Sequence, residues 1–296
     1  FAVWNEQEQS LMLARDFFGI KPVYYAEIDG HFVFASEIKS ILAFPGYERK
    51  VNQKALEQYL SFQYSPLEET FFKGIYKLMP GHMLLYKNGS YEIKTYFKPK
   101  LTPGQWNHKT NMAQLRSQLS EILKDSVKHH MLSDVEVGAF LSGGVDSGYL
   151  ASSSGADQAF TVGFDEGDRY SEVNKAAKVA EKAGLKHHVK IISKQEFWDA
   201  LPDVMYHMDE PLADASAVAL YFLSKEAAGH VKVVLSGEGA DELFGGYNIY
   251  REPESLKKIA WIPFGVRRVI GKLAAKLPDV KGRDFLIRAG MKVEER

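Results

Sequence analysis

Two short polar segments carry the residue types that could do chemistry. The first reads Ser142-Gly143-Gly144-Val145-Asp146-Ser147 and follows an apolar run at residues 135–141. Gly143 and Gly144 have no side chains, so their backbone N–H groups can approach anionic oxygens closely. Ser142 and Ser147 add hydroxyl donors, and a helix starting behind them adds partial positive charge. Asp146 is the odd member, because a carboxylate beside phosphates is repelled. It fits if a Mg²⁺ ion lies between them, since Mg²⁺ prefers carboxylate and phosphate oxygens. The second segment, Ser236-Gly237-Glu238-Gly239-Ala240-Asp241-Glu242-Leu243-Phe244-Gly245-Gly246-Tyr247, follows another apolar run at 231–235. Three carboxylates fall within five residues there. Like charges so close cost stability unless they are solvated or a cation neutralises them. Glu238 suits a base or an orienting group, and Asp241 a second ligand to the same Mg²⁺. The bland alternatives are a glycine-rich turn with an incidental Asp and a solvated acidic turn.

Both segments need strands to aim them, and the hydrophobic periods supply candidates. From residue 112 a helical period (Leu115, Leu119, Ile122, Leu123, Val127) runs to about His130. Strands are then expected at 135–141, 160–164, 187–192 and 231–235. Helices are expected at 148–154, 171–183, 196–208 and 216–228, with Gly184 and Gly229 as stops. Continuous apolar strands alternating with helices imply a parallel sheet covered on both faces, and ligands bind such sheets beyond the carboxyl ends of the strands. The first hundred residues read differently. Short aromatic strands at 11–14, 23–26, 32–35, 82–86 and 90–96 are punctuated by the hairpin dipeptides Asp29-Gly30 and Asn88-Gly89. Helices are expected at 37–42 and, behind Asn52 as N-cap, at 53–62. Residues 98–111, with Pro99, Pro103 and Gly104, read as a linker.

Composition bounds the function. The 296 residues carry 37 basic and 38 acidic side chains, a net charge of -1, which argues against a general nucleic-acid binder. No apolar run approaches the roughly 18 residues of a membrane span. With no Cys in the chain, disulfides, thiolate metal sites and a thiol nucleophile are excluded within it. The chain opens at Phe1 in an apolar run, without Met or a signal-peptide pattern, so the expectation is that residues upstream are missing.

The Ser142 loop lacks the Gly-Lys-Ser/Thr ending of a Walker loop and the spacing of a dinucleotide fingerprint. It resembles the pyrophosphate loop, Ser-Gly-Gly-x-Asp-Ser, of the N-type ATP pyrophosphatases. Together with Ser236 to Tyr247 it resembles the synthetase domain of the glutamine-hydrolysing asparagine synthetases. Two further stretches, Leu13-Ala14-Arg15-Asp16-Phe17-Phe18-Gly19-Ile20-Lys21-Pro22-Val23-Tyr24-Tyr25 and Phe34-Ala35-Ser36-Glu37-Ile38-Lys39, are similar to the later part of that family's glutaminase domain. The resemblance implies an α/β fold: a parallel-sheet, adenine-nucleotide α-hydrolase-like domain (112–296, incomplete at its C-terminus) preceded by a partial, β-rich α+β glutaminase domain of the N-terminal-nucleophile type (1–97), with 98–111 between them. It implies that ATP and aspartate form β-aspartyl-AMP and pyrophosphate, and that glutamine-derived ammonia then gives asparagine and AMP. By position, Ser142, Gly143, Gly144, Asp146 and Ser147 would hold pyrophosphate, and Asp146 and Asp241 would ligate Mg²⁺. Phe140, Leu141, Val162 and Gly163 would meet adenine and ribose, Ser236 and Gly237 the nucleotide, and Glu238 would be catalytic. Expected partners are the small molecules aspartate, ATP, and glutamine or ammonia, with no nucleic acid and no membrane. A cytoplasmic location is expected, and a homodimer is compatible with the reading.

The family's nucleophilic Cys and part of its synthetase domain fall outside these residues. Where some members carry an Arg for the aspartate carboxylate, Ala213, Ala215 and Ala217 stand here, which leaves the aspartate pocket unassigned. His207, Asp209, Glu210 and Asp214 are expected near the cleft, with Asp214 capping the following helix. Adjacent His pairs, 129/130 and 187/188, should not share a metal, because neighbours on a strand point to opposite faces. Arg267, Arg268, Lys272 and Lys276 read as a solvated helix face. Three functions stay open: asparagine synthesis, adenylation of another carboxylate (β-lactam closure, or amidation of peptides or cell-wall intermediates), and non-catalytic ATP binding.

Overall fold

The computed structural model describes residues 1–100, 111–165 and 172–292. Pro103 and Gly104 of the expected linker, and Ser171 at the expected start of a helix, lie outside them. The chain divides into two compact units, Phe1–Leu235 and Ser236–Arg296.

The first unit begins with two antiparallel sheets. One has the order β1 (Ala2–Asn5), β2 (Ser10–Ala14), β6 (His82–Lys87), β7 (Ser90–Thr95); the other β4 (His31–Ala35), β3 (Tyr24–Ile28), β5 (Ile75–Lys77). Both expected hairpins form, with Asp29, Gly30, Asn88 and Gly89 all at positive φ, as a two-residue turn between twisted strands requires. Leu13, Tyr25, Leu78 and Leu84 form one core; Ala26, Ile28 and Ile75 form another beneath α1 (Ile38–Leu42). In α2 (Gln53–Phe62) the Asn52 side chain accepts from Lys54 N. Strands β1 and β5 were not expected. The first is exposed along its whole length and the second has three residues, so neither shows the half-buried alternation that marks a strand in sequence.

The remainder of the unit is a parallel sheet. After α3 (Met112–His130), capped by Asn111, come β8 (Val137–Phe140), α4 (Val145–Ser154), β9 (Gln158–Phe164), α5 (Val173–Ala183), β10 (Lys186–Ile192), α6 (Lys194–Asp199), α7 (Leu201–Met208), α8 (Ser216–Ala228) and β11 (Val233–Leu235). The strand order is β10-β9-β8-β11, all parallel. Alternate strand residues feed opposite faces. Ala139, Leu141 and Ala159 pack with Ala151, Ala176 and Ala180 of α4 and α5, while Phe160 packs with Ala227 and Val231. The small alanine faces let helix and sheet approach closely.

Two helix expectations are corrected. The helix expected at 148–154 starts at Val145, so Asp146 and Ser147 belong to its first turn. The helix expected at 196–208 is two helices that meet at Ala200, because Pro202 falls in the first turn of α7 and cannot donate into a continuous ladder. Its first part starts early, at Lys194, where Ser193 and Glu196 form a reciprocal capping box.

The second unit holds α9 (Ala240–Phe244), a 3-10 turn at Asn248–Arg251, α10 (Glu252–Lys257), α11 (Phe264–Ala274) and α12 (Arg283–Ala289). Arg288 pairs with Glu252 at 2.5 Å. Arg267, Arg268 and Lys272 lie on α11, and Lys276 lies beyond its end.

Candidate active site

Strand β8 delivers the chain to its carboxyl end at the point where strand order reverses. From β8 the sheet grows one way through β9 and β10, and the chain then returns to the other flank as β11. This is where an open α/β sheet leaves a crevice for a ligand. Leu141, buried, donates its N–H to Phe160 O at 2.9 Å, and the Ser142 loop begins with the next residue. Gly143 has φ +75°, and a Cβ there would lie 2.7 Å from Lys175 Cβ and 2.8 Å from Ala176 N, in the first turn of α5. Only glycine fits both the left-handed backbone and this approach. Ser142 N donates to Ser147 Oγ at 3.2 Å, the two hydroxyls bond at 2.8 Å, and Gly144 N donates to Ser142 Oγ at 3.3 Å. Gly144 is the N-cap of α4 and brings no capping side chain. The first-turn N–H groups of Val145, Asp146 and Ser147 have no intrahelical acceptor there, as in any α-helix. The Asp146 side chain is exposed on that turn.

Residues behind the loop fix its entry, and they escaped sequence reasoning. Thr161, 1% exposed on β9, donates its hydroxyl to Leu141 O at 2.6 Å. With that proton committed, Oγ1 accepts from His187 Nε2 at 2.7 Å. Burial, and then the neighbouring His188, hold the His187 imidazole below its usual 6.5, which suits a neutral ring donating through Nε2. The signal was a polar residue inside an apolar strand, Thr161 between Phe160 and Val162. Phe140 and Val162 turn their side chains into hydrophobic clusters, Phe140 beside Phe160 and Val162 beside Ile192. The side chains of these two residues are thus committed to packing, and Gly163 is buried.

Strand β11 ends at Leu235, which pairs with Ala139 of β8, and Ser236 follows directly. In the second unit Gly239, at φ +88°, opens α9, and Gly245, at φ +69°, closes it. Gly246 N donates to Asp241 O at 2.9 Å, and a Cβ on Gly246 would overlap the Asp241 carboxylate at 1.7 Å. A glycine is thus needed for Asp241 to keep its position. The three carboxylates have separate environments. Glu242 accepts from Tyr247 Oη at 2.9 Å, and this bond, followed by desolvation, pushes the Tyr247 hydroxyl up to about 12. Asp241 is partly shielded. Glu238 is exposed, with no hydrogen bond or ion pair to the described residues of its unit.

Asp209 and Glu210, expected near the cleft, bind the first hundred residues. Asp209 Oδ2 accepts from Ile38 N at 2.7 Å and Oδ1 pairs with Lys39 Nζ at 2.9 Å, while Glu210 Oε1 accepts from Phe71 N at 2.7 Å. Asp209 thereby caps α1, whose own N-cap Glu37 makes no side-chain capping bond and pairs with Lys39 instead. Asp214 Oδ1 does accept from Ser216 N, at 2.9 Å. Asp16 accepts from the N–H groups of Phe18, Ile20 and Lys21, and so shapes the turn that carries the Arg15-to-Pro22 motif.

An asparagine synthase family model matches residues 118–290, more than half of the chain, and a glutamine amidotransferase domain model matches residues 1–97. The chain belongs to the asparagine synthase family. It is 41% identical to asparagine synthetase [glutamine-hydrolyzing] 1 of Bacillus subtilis (strain 168), over all of the chain and 47% of that relative. It is 30% identical to asparagine synthetase [glutamine-hydrolyzing] 3 of the same organism, over 88% of the chain and 45% of the relative. To amidase chyE of Penicillium rubens it is also 30% identical, over 93% of the chain and 44% of the relative. The chain thus spans about half the length of the curated relatives it matches. Among the described residues of this family member, no helix is long and apolar enough to cross a membrane.

Proposed function

We propose that this chain carries the adenylating centre of an ATP-dependent, glutamine-hydrolysing asparagine synthetase. In this reading residues 1–97 are part of a glutaminase domain, 98–111 a connector and 112–296 part of the synthetase domain. The observation that carries the proposal is the Ser142 loop: a strand, a left-handed glycine held against α5, and a helix N-terminus, all at the strand-order reversal of a parallel sheet.

The aspartate β-carboxylate oxygen attacks the α-phosphorus of ATP, the bond to the β-phosphate bridge breaks, and pyrophosphate leaves. Gly143, Gly144 and the first-turn N–H groups of α4 take up the pyrophosphate charge, aided by the Ser142 and Ser147 hydroxyls. Ammonia then attacks the acyl carbon, AMP departs, and one N–H proton must be removed. Glu238, exposed, serves as the proton acceptor, a role worth on the order of 10²–10⁴ in rate. Asp146 and Asp241 present carboxylate oxygens alone, a hard donor set that fits Mg²⁺. When bound, that ion offsets charge on the phosphates. Phe140, Leu141, Val162 and Gly163 receive adenine and ribose through their backbone, and Ser236 and Gly237 contact the nucleotide. With soluble substrates, the reaction belongs in the cytoplasm.

The test is aspartate-dependent exchange of labelled pyrophosphate into ATP by the full-length protein with Mg²⁺. Exchange with aspartate, and loss of most synthesis in Glu238→Gln with ATP binding retained, are the expected results. Exchange only with another carboxylate would move the protein to a related amidating enzyme. ATP binding without AMP release would make it a nucleotide-binding homologue. Full synthesis by Glu238→Gln would remove the role given to that residue.

A further inference from the structure

The amino-terminal ends of the parallel strands, opposite the end that bears the Ser142 loop, hold a second cluster of functional side chains. His188 lies near the start of β10, Glu226 in the last turn of α8, and His230 in the connection to β11. One ligand-capable atom from each lies within 4.8 Å of the others. His230 Nε2 is 3.6 Å from Glu226 Oε1, and the two imidazole centroids are 4.0 Å apart. Phe160, fully buried, forms the floor, 5.0 Å from the His188 ring and 5.8 Å from the His230 ring.

We propose that His188, Glu226 and His230 form a binding site for a divalent transition ion of the zinc class. Two neutral imidazoles and one carboxylate are the donor set such ions take when three protein ligands leave a further position for water. A tetrahedral ion with nitrogen and oxygen ligands at about 2.0–2.2 Å separates its donors by roughly 3.4 Å. The present spread, up to 4.8 Å, closes by at most about 1.4 Å, within reach of side-chain rotation.

A chain of hydrogen bonds behind the site fixes the His188 tautomer. Gln158 Nε2 donates to Glu136 Oε1 at 2.6 Å, which orients the amide and leaves Gln158 Oε1 as an acceptor. That oxygen lies 2.8 Å from His188 Nε2, so the ring proton resides on Nε2 and Nδ1 keeps its lone pair. Outer partners of this kind hold metal-binding histidines in place. His187, its neighbour in sequence, bonds Thr161 instead and has no part in the site. The bound ion would clasp β10 to the α8–β11 connection across β9. It lies at the opposite end of the parallel strands from Asp146, and the inference does not depend on the adenylation chemistry.

The experiment is calorimetric titration of chelator-treated, full-length protein with Zn²⁺ alone, in excess Mg²⁺ to occupy carboxylate sites, and with Co²⁺ followed by visible absorption. One ion per chain is expected, with cobalt bands of a low-coordinate site and a raised thermal midpoint. Asp146→Asn should bind zinc as the wild type does. His230, partly exposed, can be truncated without opening the core, and His230→Ala should lose at least tenfold in affinity. Gln158→Leu, which keeps all three ligands, should lose about tenfold. No saturable binding by the wild type, or undiminished affinity in His230→Ala or in Gln158→Leu, would overturn the proposal.

Discussion

Alanine at Gly143 and alanine at Gly144 should have very different consequences, although the residues are adjacent in one loop. At Gly143 the φ of +75° costs an L-residue about 1–2 kcal/mol. The new methyl would also lie 2.7 Å from Lys175 Cβ and 2.8 Å from Ala176 N, and the second of these is helix backbone that cannot swing aside. Overpacking of that kind costs about 1–3 kcal/mol. Together they give a loss of roughly 2–5 kcal/mol, or roughly 4–20 °C in thermal midpoint at about 2–4 °C per kcal/mol. At Gly144, φ is −73°, which any residue adopts, and the nearest atom to a Cβ is Ser142 Oγ at 3.3 Å, the end of a side chain that can rotate. Only the poorer helix cap remains, about 0.5–1 kcal/mol. Urea unfolding of both variants, with ATP affinity by calorimetry, separates them. Gly143→Ala should lose most of its stability margin and at least tenfold in ATP affinity, because relieving the clash moves α5 or the loop. A Gly143→Ala variant within about 0.5 kcal/mol of wild type would refute the reasoning, since both penalties come directly from the backbone geometry.

Other perturbations test the parts around this loop. Thr161→Val leaves Leu141 O and His187 Nε2 without their buried partner and should cost about 1–3 kcal/mol; in a double-mutant cycle with His187→Leu the two losses should not add, and simple additivity would count against the chain of bonds. Asp209→Ala breaks a pair in which Asp209 is 8% exposed and removes the cap on α1. Such breakage costs about 3–5 kcal/mol, and thermal unfolding should show it; a loss under about 1 kcal/mol would argue against this joint. His187 should titrate below 6.5 by imidazole NMR, as the neutral Nε2–H tautomer. Because its folded-state pKa is depressed, its contribution to stability is complete above the unfolded value of 6.5 and is lost as pH falls through the folded one. A stability that does not fall on acidification through this range, in a comparison of wild type with His187→Gln, would contradict that sign.

Features set by neighbouring residues were legible in the sequence. Asn52 caps the helix that follows it, the Asp-Gly and Asn-Gly pairs turn both hairpins, and Gly184 closes α5 at φ +69°. The order of strands and helices and the polar loop behind β8 belong to the same class, since each depends on a local period or on one short motif. The breaks in this reading are also local: Pro202 divides a helix whose hydrophobic pattern runs through it, and Ser193 starts that helix earlier than the pattern does.

Tertiary structure alone decided the rest. A helix cap is normally supplied from the preceding residue, but α1 takes its cap from Asp209, 171 residues away, and no local signal marks such a partner. The burial of Thr161 and its bonds to Leu141 O and His187 depend on which strands lie side by side. Strand order sets that, through long-range pairings whose cost and gain do not appear in any short window of sequence. The types of residue that could do chemistry were fixed by the sequence itself; the return of the chain to the far side of β8, which sets the ends of β8 and β11 next to each other, was fixed by packing.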